Sequence, residues 1–479
     1  MTPDEALAGG AQGPEILGKL TGVVLDVLAG GAAARGGPLP TGGPEEVGRR
    51  LREACEPFLP EHGTGAEESL RTLVRAAAEG AADPADPRCA GHLHCPPLAV
   101  AAAAELAAAA LNQSLDSWDQ APAATALERE VCWALAALVY PGRAAPDALV
   151  TSGGTESNLV ALLLARERAP GVRVLCGANA HHSVRRAAWL LGLPEPVVLP
   201  CPGGRLDPRT VDTALSAGRS GPALVVATAG TTDEGLVDPL PELAAVARRH
   251  GAELHVDAAY GGPLLFSDRL APRLDGLASA VSVAFDLHKL GWQPVAAGLL
   301  AVPDSGLLRP LELRADYLNA GDDTEAGLPD LLGRSVRTTR RPDVLKIAVT
   351  LRALGRTGVG ALVERCVDAA EECGALVDAH PELRRRHGPV GISTVLFRPV
   401  AADRLPPEEG DALVAEVRRR LLAGGEAVVG RAVAEDTAGC ARLWLKATLL
   451  HPGVTGAELA GLLELVARTA GTATTKGTV

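Results

Sequence analysis

Apolar and polar positions along the chain fall into two rhythms. Between Val172 and Pro303 short aliphatic and β-branched runs recur, "VRVLCG", "PVVLP", "ALVVATAG", "ELHVDAAY", "SAVSVAF" and "GLLAVP", separated by helical or turn segments such as "PLPELAAVARRHG". These runs are nearly continuously apolar, as strands buried on both faces are. Their alternation with helices predicts an α/β fold with a mostly parallel sheet covered on both sides. Ahead of them the spacing predicts Ala-rich helices over 98–111 and 122–139 and, past a glycine turn, the helix "ESNLVALLLARER".

The flanks carry other patterns. Residues 1–95 hold helical stretches such as "GPEEVGRRLREACEPFL" and "AEESLRTLVRAAAEGA", divided by Gly and Pro, and read as a helical N-terminal arm. Residues 96–355 form the large α/β domain. Residues 356–479 give the helix "VGALVERCVDAAEECGALVDA", the strand "ISTVLFRP", the helix "EEGDALVAEVRRRLLAG", the strand "ARLWLKATLL" and the helix "GAELAGLLELVAR", a small α+β domain. No internal repeat is present.

Composition narrows the partners. The chain has 479 residues, 47 % apolar and 22 % charged, an ordinary globular balance. A net charge of -12 disfavours nucleic acid and anionic membranes, which need concentrated positive charge. No leader pattern and no uninterrupted apolar run of membrane-spanning length stand out, so the cytoplasm is the expected location. The nine cysteines (Cys55, Cys89, Cys95, Cys132, Cys176, Cys201, Cys366, Cys373, Cys440) are scattered without a C-x-x-C pair. They read as reduced thiols, with neither a disulfide framework nor a metal site.

Chemistry gathers at strand ends. "TSGGTESN", Thr151 to Asn158, puts two glycines before a helix, where unpaired N–H groups and the helix dipole suit an anion such as phosphate. Taken alone it is equally a capped helix with a tight turn. It lacks the G-K-[ST] ending of a P-loop and is not G-x-G-x-x-G, which disfavours nucleotides. In an open α/β sheet ligands bind beyond the carboxyl ends of the strands. There stand Asp257 in "HVDAAYGG", Gly230 to Thr232 in "TAGTTDEG", His181 and His182 in "ANAHHSV", and Asp286, His288 and Lys289 in "DLHK". Each residue singly could be a cap or a packing group; together they face one crevice.

A phosphate cradle, a strand-end acid and a lysine are what pyridoxal phosphate chemistry requires. The amine holds the cofactor covalently and the acid faces its ring nitrogen. A carboxylate about 4 Å away at an effective dielectric of about 20 is worth roughly 4 kcal/mol, or about three pKa units. That keeps the ring protonated.

The segments "TSGGTESN", "AHHSV", "TAGTTDEGLVDPL", "HVDAAYGG" and "DLHK" resemble those of the group II pyridoxal-phosphate decarboxylases, which include the aromatic amino acid, glutamate and diaminobutyrate enzymes. The similarity runs from about Asp86 to His451, with the motifs in the family's order. It implies a fold-type I homodimer with active sites at the subunit interface. It also implies that Lys289 anchors the cofactor, Asp257 pairs with its ring nitrogen, His181 stacks on the ring and Ala259 packs on the other face. Gly154, Thr155 and His288 would hold the phosphate, with Thr232 and Asp286 close by. Tyr317, in the polar segment "ELRADYLNAGDD", matches the loop tyrosine that protonates the substrate α-carbon; relatives with phenylalanine there carry out oxidative decarboxylation and deamination. For His182 and His255 packing or surface roles are expected.

The resemblance is to the diaminobutyrate branch in "GHLHCPP", "ALNQSLDSWDQAPAATALE" and "HKLGWQP". Asp116 stands where the aromatic branch has an aromatic residue, and a carboxylate suits the distal ammonium of a diamino acid. Asp116, Cys95 and Lys446 are therefore the substrate-side candidates; Lys446 replaces a usual arginine. Arg340 and Arg341 also match family positions, and Asp86-Pro87 replaces the usual His-Pro. The expected function is decarboxylation of a small diamino acid such as 2,4-diaminobutyrate, ornithine or lysine. The alternatives are an aromatic or acidic substrate, an oxidative outcome giving aldehyde, and a catalytically silent scaffold.

Overall fold

The structure is a computed structural model that describes residues 7–217, 221–315 and 317–475. The chain forms two compact units, one made of residues 1–96, 369–388 and 395–479, the other of 97–368 and 389–394.

Twelve strands are present among the described residues, numbered here along the chain. The first unit holds β1 (Cys89–Ala90) and four strands near the end of the chain. The second unit holds β2 (Asp147–Thr151), β3 (Arg173–Gly177), β4 (Val197–Leu199), β5 (Ala223–Thr228), β6 (Glu253–Asp257), β7 (Ser282–Asp286) and β8 (Gly298–Val302). They form one sheet in the order β2-β8-β7-β6-β5-β3-β4, in which β8 alone runs against its neighbours. Every residue of β5, β7 and β8 is buried, which explains their unbroken apolar sequences. This is the mostly parallel, fold-type I arrangement that the sequence implied.

Register and packing then place the site. Thr228 pairs with Asp257 and Asp257 with Ala284, so the carboxyl ends of β5, β6 and β7 lie level. The loops after β2, β3, β5, β6 and β7 leave the sheet along that same edge. The helix Gly154–Arg168 lies over the sheet by two apolar sides. Leu162 and Ala165 pack with Val174, Cys176, Leu224 and Val226, whereas Val160, Ala161 and Leu164 pack with Leu149, Ala284, Leu300 and Val302. Its N-terminus is thereby fixed at the strand ends.

In this unit Arg340 and Glu128 form a two-pronged ion pair, at 2.7 and 2.6 Å, and both side chains are almost fully buried. Removing one partner strands a buried charge. Glu128→Ala is expected to cost about 3–5 kcal/mol, read as a shift of the denaturant unfolding midpoint.

In the first unit β9 (Leu383–Arg385), β10 (Thr394–Pro399), β11 (Val428–Glu435) and β12 (Ala441–Thr448) join β1 in the order β1-β11-β12-β10-β9. The helices Pro407–Ala423 and Gly456–Thr475 pack together beside it. The N-terminal helices are Gly13–Arg35, Gly43–Cys55 and Ala66–Glu79. The first is long and apolar enough, by length and composition, to cross a membrane, although Glu15, Lys19 and Asp26 interrupt its apolar run. The helix packs on Ala66–Glu79, where a Cβ on Gly31 would come within 2.5 Å of Ala78 Cβ.

Candidate active site

The turn from β2 into the helix Gly154–Arg168 is shaped by glycine. Gly153 has φ 149° and ψ 178°, a conformation that side chains exclude, and a Cβ there would come within 3.0 Å of His288 Cε1. A Cβ on Gly154 would lie 2.8 Å from Ala259 Cβ and 3.4 Å from Asp286 Oδ2. The carboxylate of Glu156 takes the Ser152 N–H at 2.6 Å, holding the turn open at the helix start. Three of the expected residues, Ala259, Asp286 and His288, thus surround one small hollow floored by backbone.

Asp286 closes β7 and is 1 % exposed. Its Oδ2 pairs with Lys289 Nζ at 2.9 Å, which keeps the amine one helical step from the carboxylate. Its Oδ1 is buried with no hydrogen-bond partner among the described residues. His288 Nδ1 accepts the Ala297 N–H at 3.3 Å, so the imidazole proton lies on Nε2, 3.6 Å from Asp286 Oδ2. Burial lowers the His288 pKa against the pull of Asp286, so the ring is neutral.

Asp257 closes β6 and is also buried. Its Oδ1 accepts the Ala259 N–H at 3.1 Å and its Oδ2 accepts Asn158 Nδ2 at 2.7 Å. Asn158 Nδ2 also reaches Ser183 Oγ at 2.8 Å, and Ser183 Oγ meets His181 Nδ1 at 2.8 Å. Behind them the fully buried His255 sets Nε2 at 2.9 Å from Asn158 Oδ1 and Nδ1 at 2.8 Å from Ser282 Oγ. Desolvation lowers the pKa of His181, and pushes that of His255 down to about 4. The half-buried His181 ring lies 4.0 Å from that of His182.

The structure therefore brings together Gly154, His181, Asp257, Ala259, Asp286, His288 and Lys289. Thr155 is exposed in the first helical turn beside them, and Thr232 is exposed on the turn after β5. Among the described residues no hydrogen bond or ion pair links Tyr317 or Asp116 to this cluster. Tyr317 is 82 % exposed on a turn fastened by Asn319, whose Oδ1 takes the Ala315 N–H at 2.7 Å. Asp116 is buried and accepts Gln120 Nε2 at 2.9 Å.

Cys95 and Lys446 are buried in the other unit. There Lys446 and Arg418 help hold the pKa of His92 down, after burial itself. Asp86 is engaged by its neighbour Arg88, through the backbone N–H at 2.8 Å and the guanidinium at 2.8 Å. Arg341 is tied to Glu105 and Asp343, as Arg340 is to Glu128. Asn158 and Ser183 are not among the site residues the sequence predicts, and His255, expected in a packing or surface role, is buried with its ring bonded to Asn158. The one available signal is the Ser157-Asn158 pair standing directly before the aliphatic run "LVALLLA" of the same helix.

Residues 59–399 match the pyridoxal-dependent decarboxylase conserved domain. The chain belongs to the pyridoxal-dependent decarboxylase family. It is 41 % identical over 436 residues to an L-2,4-diaminobutyrate decarboxylase of Rhizobium meliloti (strain 1021), a match covering 88 % of this chain and 85 % of that one. Against an L-2,4-diaminobutyrate decarboxylase of Acinetobacter baumannii the identity is 32 % over 450 residues, covering 87 % and 86 %. The crystal structure of the glutamate decarboxylase domain of diaminobutyrate-pyruvate transaminase and L-2,4-diaminobutyrate decarboxylase from Vibrio parahaemolyticus superposes with a TM-score of 0.83. That match is 27 % identical and covers 98 % of this chain and 100 % of that one.

The protein is thus an amino acid decarboxylase whose cofactor is pyridoxal phosphate. Its residues fit that group. The hollow at Gly153 and Gly154 is one that a Cβ would fill, a primary amine stands beside it, and Asp286 Oδ1 is a buried acceptor awaiting a donor.

Proposed function

We propose that this decarboxylase acts on a small L-diamino acid, L-2,4-diaminobutyrate first, releasing carbon dioxide and the diamine. The observation that carries this is the 41 % identity, across 88 % of the chain, to an L-2,4-diaminobutyrate decarboxylase. In this reading Gly154, Thr155 and His288 hold the phosphate, where unpaired helix N–H groups favour an anion. Lys289 is the covalent anchor, Asp257 meets the ring nitrogen, His181 and Ala259 bound the ring, and Thr232 and Asp286 border it. Bound pyridoxal phosphate supplies a protonated aromatic ring that takes up the electron pair left when the α-carboxylate departs.

The chain's own residues do the rest. Asp286 keeps the Lys289 amine in place by their 2.9 Å pair. Tyr317 donates the proton that replaces the carboxylate at the α-carbon. Its exposure is consistent with an acid that reaches the site from a loop. A homodimer with interface sites, the N-terminal arm over 1–95 and a cytoplasmic setting complete the reading.

Asp116 is the proposed partner of the distal ammonium, with Cys95 and Lys446 on the substrate side. A panel of diamino, acidic and aromatic amino acids, with amines identified, tests this. The expected result is the highest kcat/KM for 2,4-diaminobutyrate with 1,3-diaminopropane and carbon dioxide in equal amounts. Aldehyde and ammonia without amine, or preference for glutamate or an aromatic amino acid, would overturn it. Asp116→Asn is expected to raise KM for the diamino acid roughly 10- to 100-fold by removing a charged hydrogen-bond partner, with little change in kcat.

A further inference from the structure

The amide of Asn158 sits where three hydrogen-bonding groups converge, and their donor and acceptor characters leave it one orientation. The side chain is fully buried one turn into the helix Gly154–Arg168. An ionised Asp257 is acceptor-only, so the group 2.7 Å from its Oδ2 is the amide NH2. Oδ1 then faces His255 Nε2 at 2.9 Å, which must carry a hydrogen. On its other side His255 Nδ1 stands 2.8 Å from the Ser282 hydroxyl oxygen and 3.1 Å from the Ser282 carbonyl oxygen, so both polar groups of Ser282 hold the ring in place. The second amide hydrogen goes to Ser183 Oγ at 2.8 Å, and that hydroxyl directs its own hydrogen to His181 Nδ1. The Ser183 N–H, 3.3 Å away, donates to the same His181 nitrogen, so the His181 proton lies on Nε2. A flipped amide would set its carbonyl against a carboxylate.

We infer that Asn158 is a positioning residue: through one directed hydrogen-bond chain from His255 it fixes both the Asp257 carboxylate and the His181 tautomer. This rests on Asp257 and His181 being the groups that face the cofactor ring. Each link donates towards the site, so the chain spreads the negative charge of Asp257 and disfavours a proton on its carboxyl. The proton shared between Asp257 and the ring nitrogen is thereby left on the ring. A side chain that merely tied helix to sheet would not move that proton. Ser183 and Asn158 also join two strand-end loops, after β3 and after β6, into one unit of buried polar groups whose satisfaction is all or none.

The test uses holoenzyme carrying cofactor with an isotope-labelled ring nitrogen, observed by solid-state NMR, together with cofactor Kd from titration of the apoenzyme. Wild type is expected to show a protonated ring nitrogen at neutral pH. In Asn158→Leu the signal is expected to move towards the unprotonated position and the Kd to rise about 10-fold or more. His255→Gln, which can still donate to Asn158 Oδ1, is expected to keep the wild-type signal, whereas His255→Leu is expected to behave as Asn158→Leu does. If Asn158→Leu does not fold, the two His255 variants decide. Asp257→Asn is the control for the site itself. If it moves the signal while Asn158→Leu and His255→Leu do not, the inference is overturned and the site assignment stands. If Asp257→Asn leaves the signal unchanged, the assignment of Asp257 falls, and the inference with it.

Discussion

Lys289→Ala is expected to lower turnover by about four orders of magnitude or more, because it removes the nucleophilic amine on which covalent cofactor chemistry depends. The visible absorption of the purified protein is expected to fall with it, and any cofactor that remains bound should leave on dialysis. The structure adds a second consequence. Lys289 Nζ lies 2.9 Å from a carboxylate that is 1 % exposed and whose other oxygen has no hydrogen-bond partner among the described residues. Without the amine, Asp286 is a buried charge with much weaker compensation. The apo form of Lys289→Ala is therefore expected to be less stable than wild-type apoprotein, measured by thermal unfolding. An unchanged absorption spectrum would contradict the assignment of Lys289.

Tyr317→Phe is expected to reduce amine formation roughly 10²- to 10⁴-fold, the usual contribution of a positioned proton donor, with aldehyde and ammonia rising among the products. Phenylalanine keeps the ring and removes only the hydroxyl. Tyr317 is exposed, and its turn is held by Asn319 contacts to Ala315, Leu313 and Asp330, so the substitution leaves the core untouched. Unfolding midpoints should match wild type while products change. Simultaneous assay of carbon dioxide, amine, ammonia and peroxide measures this; unaltered amine output would place the proton donor elsewhere.

What the sequence made legible follows burial. The strands β5, β7 and β8 stood out because both faces are covered and nearly every residue is apolar, and the short β-branched or aliphatic runs of β3, β4 and β6 carried the same signal. β2 was read only as the lead-in to a glycine turn, since "DALVT" has three apolar residues and opens with the Asp147 that binds Arg334. β11 was missed for a different reason: its second half alternates buried and exposed residues, with Arg431 and Glu435 pointing out, and Gly430 interrupts it. β1 has two residues and exists only through its pairing with β11.

The candidate site divides in the same way. Asp257, Asp286, His288 and Lys289 were visible because a strand end aims its next residues at the crevice whatever the distant chain does. Asn158 and His255 were not, because a polar residue in a helix or strand reads as a cap or a packing group until its partner is known. Asn158 and Asp257 are 99 positions apart, and only the sheet register with the overlying helix joins them. Asp116 and Tyr317 were picked out by resemblance, and their geometry alone names no substrate.

Borohydride reduction of the wild-type holoenzyme, followed by proteolysis and mass spectrometry of the peptides, asks the central question directly. The expected result is a reduced pyridoxal phosphate adduct on the peptide containing "DLHK", with the added mass on Lys289. An adduct on Lys346 or Lys446, or protein that binds the cofactor without any reducible bond, would contradict it.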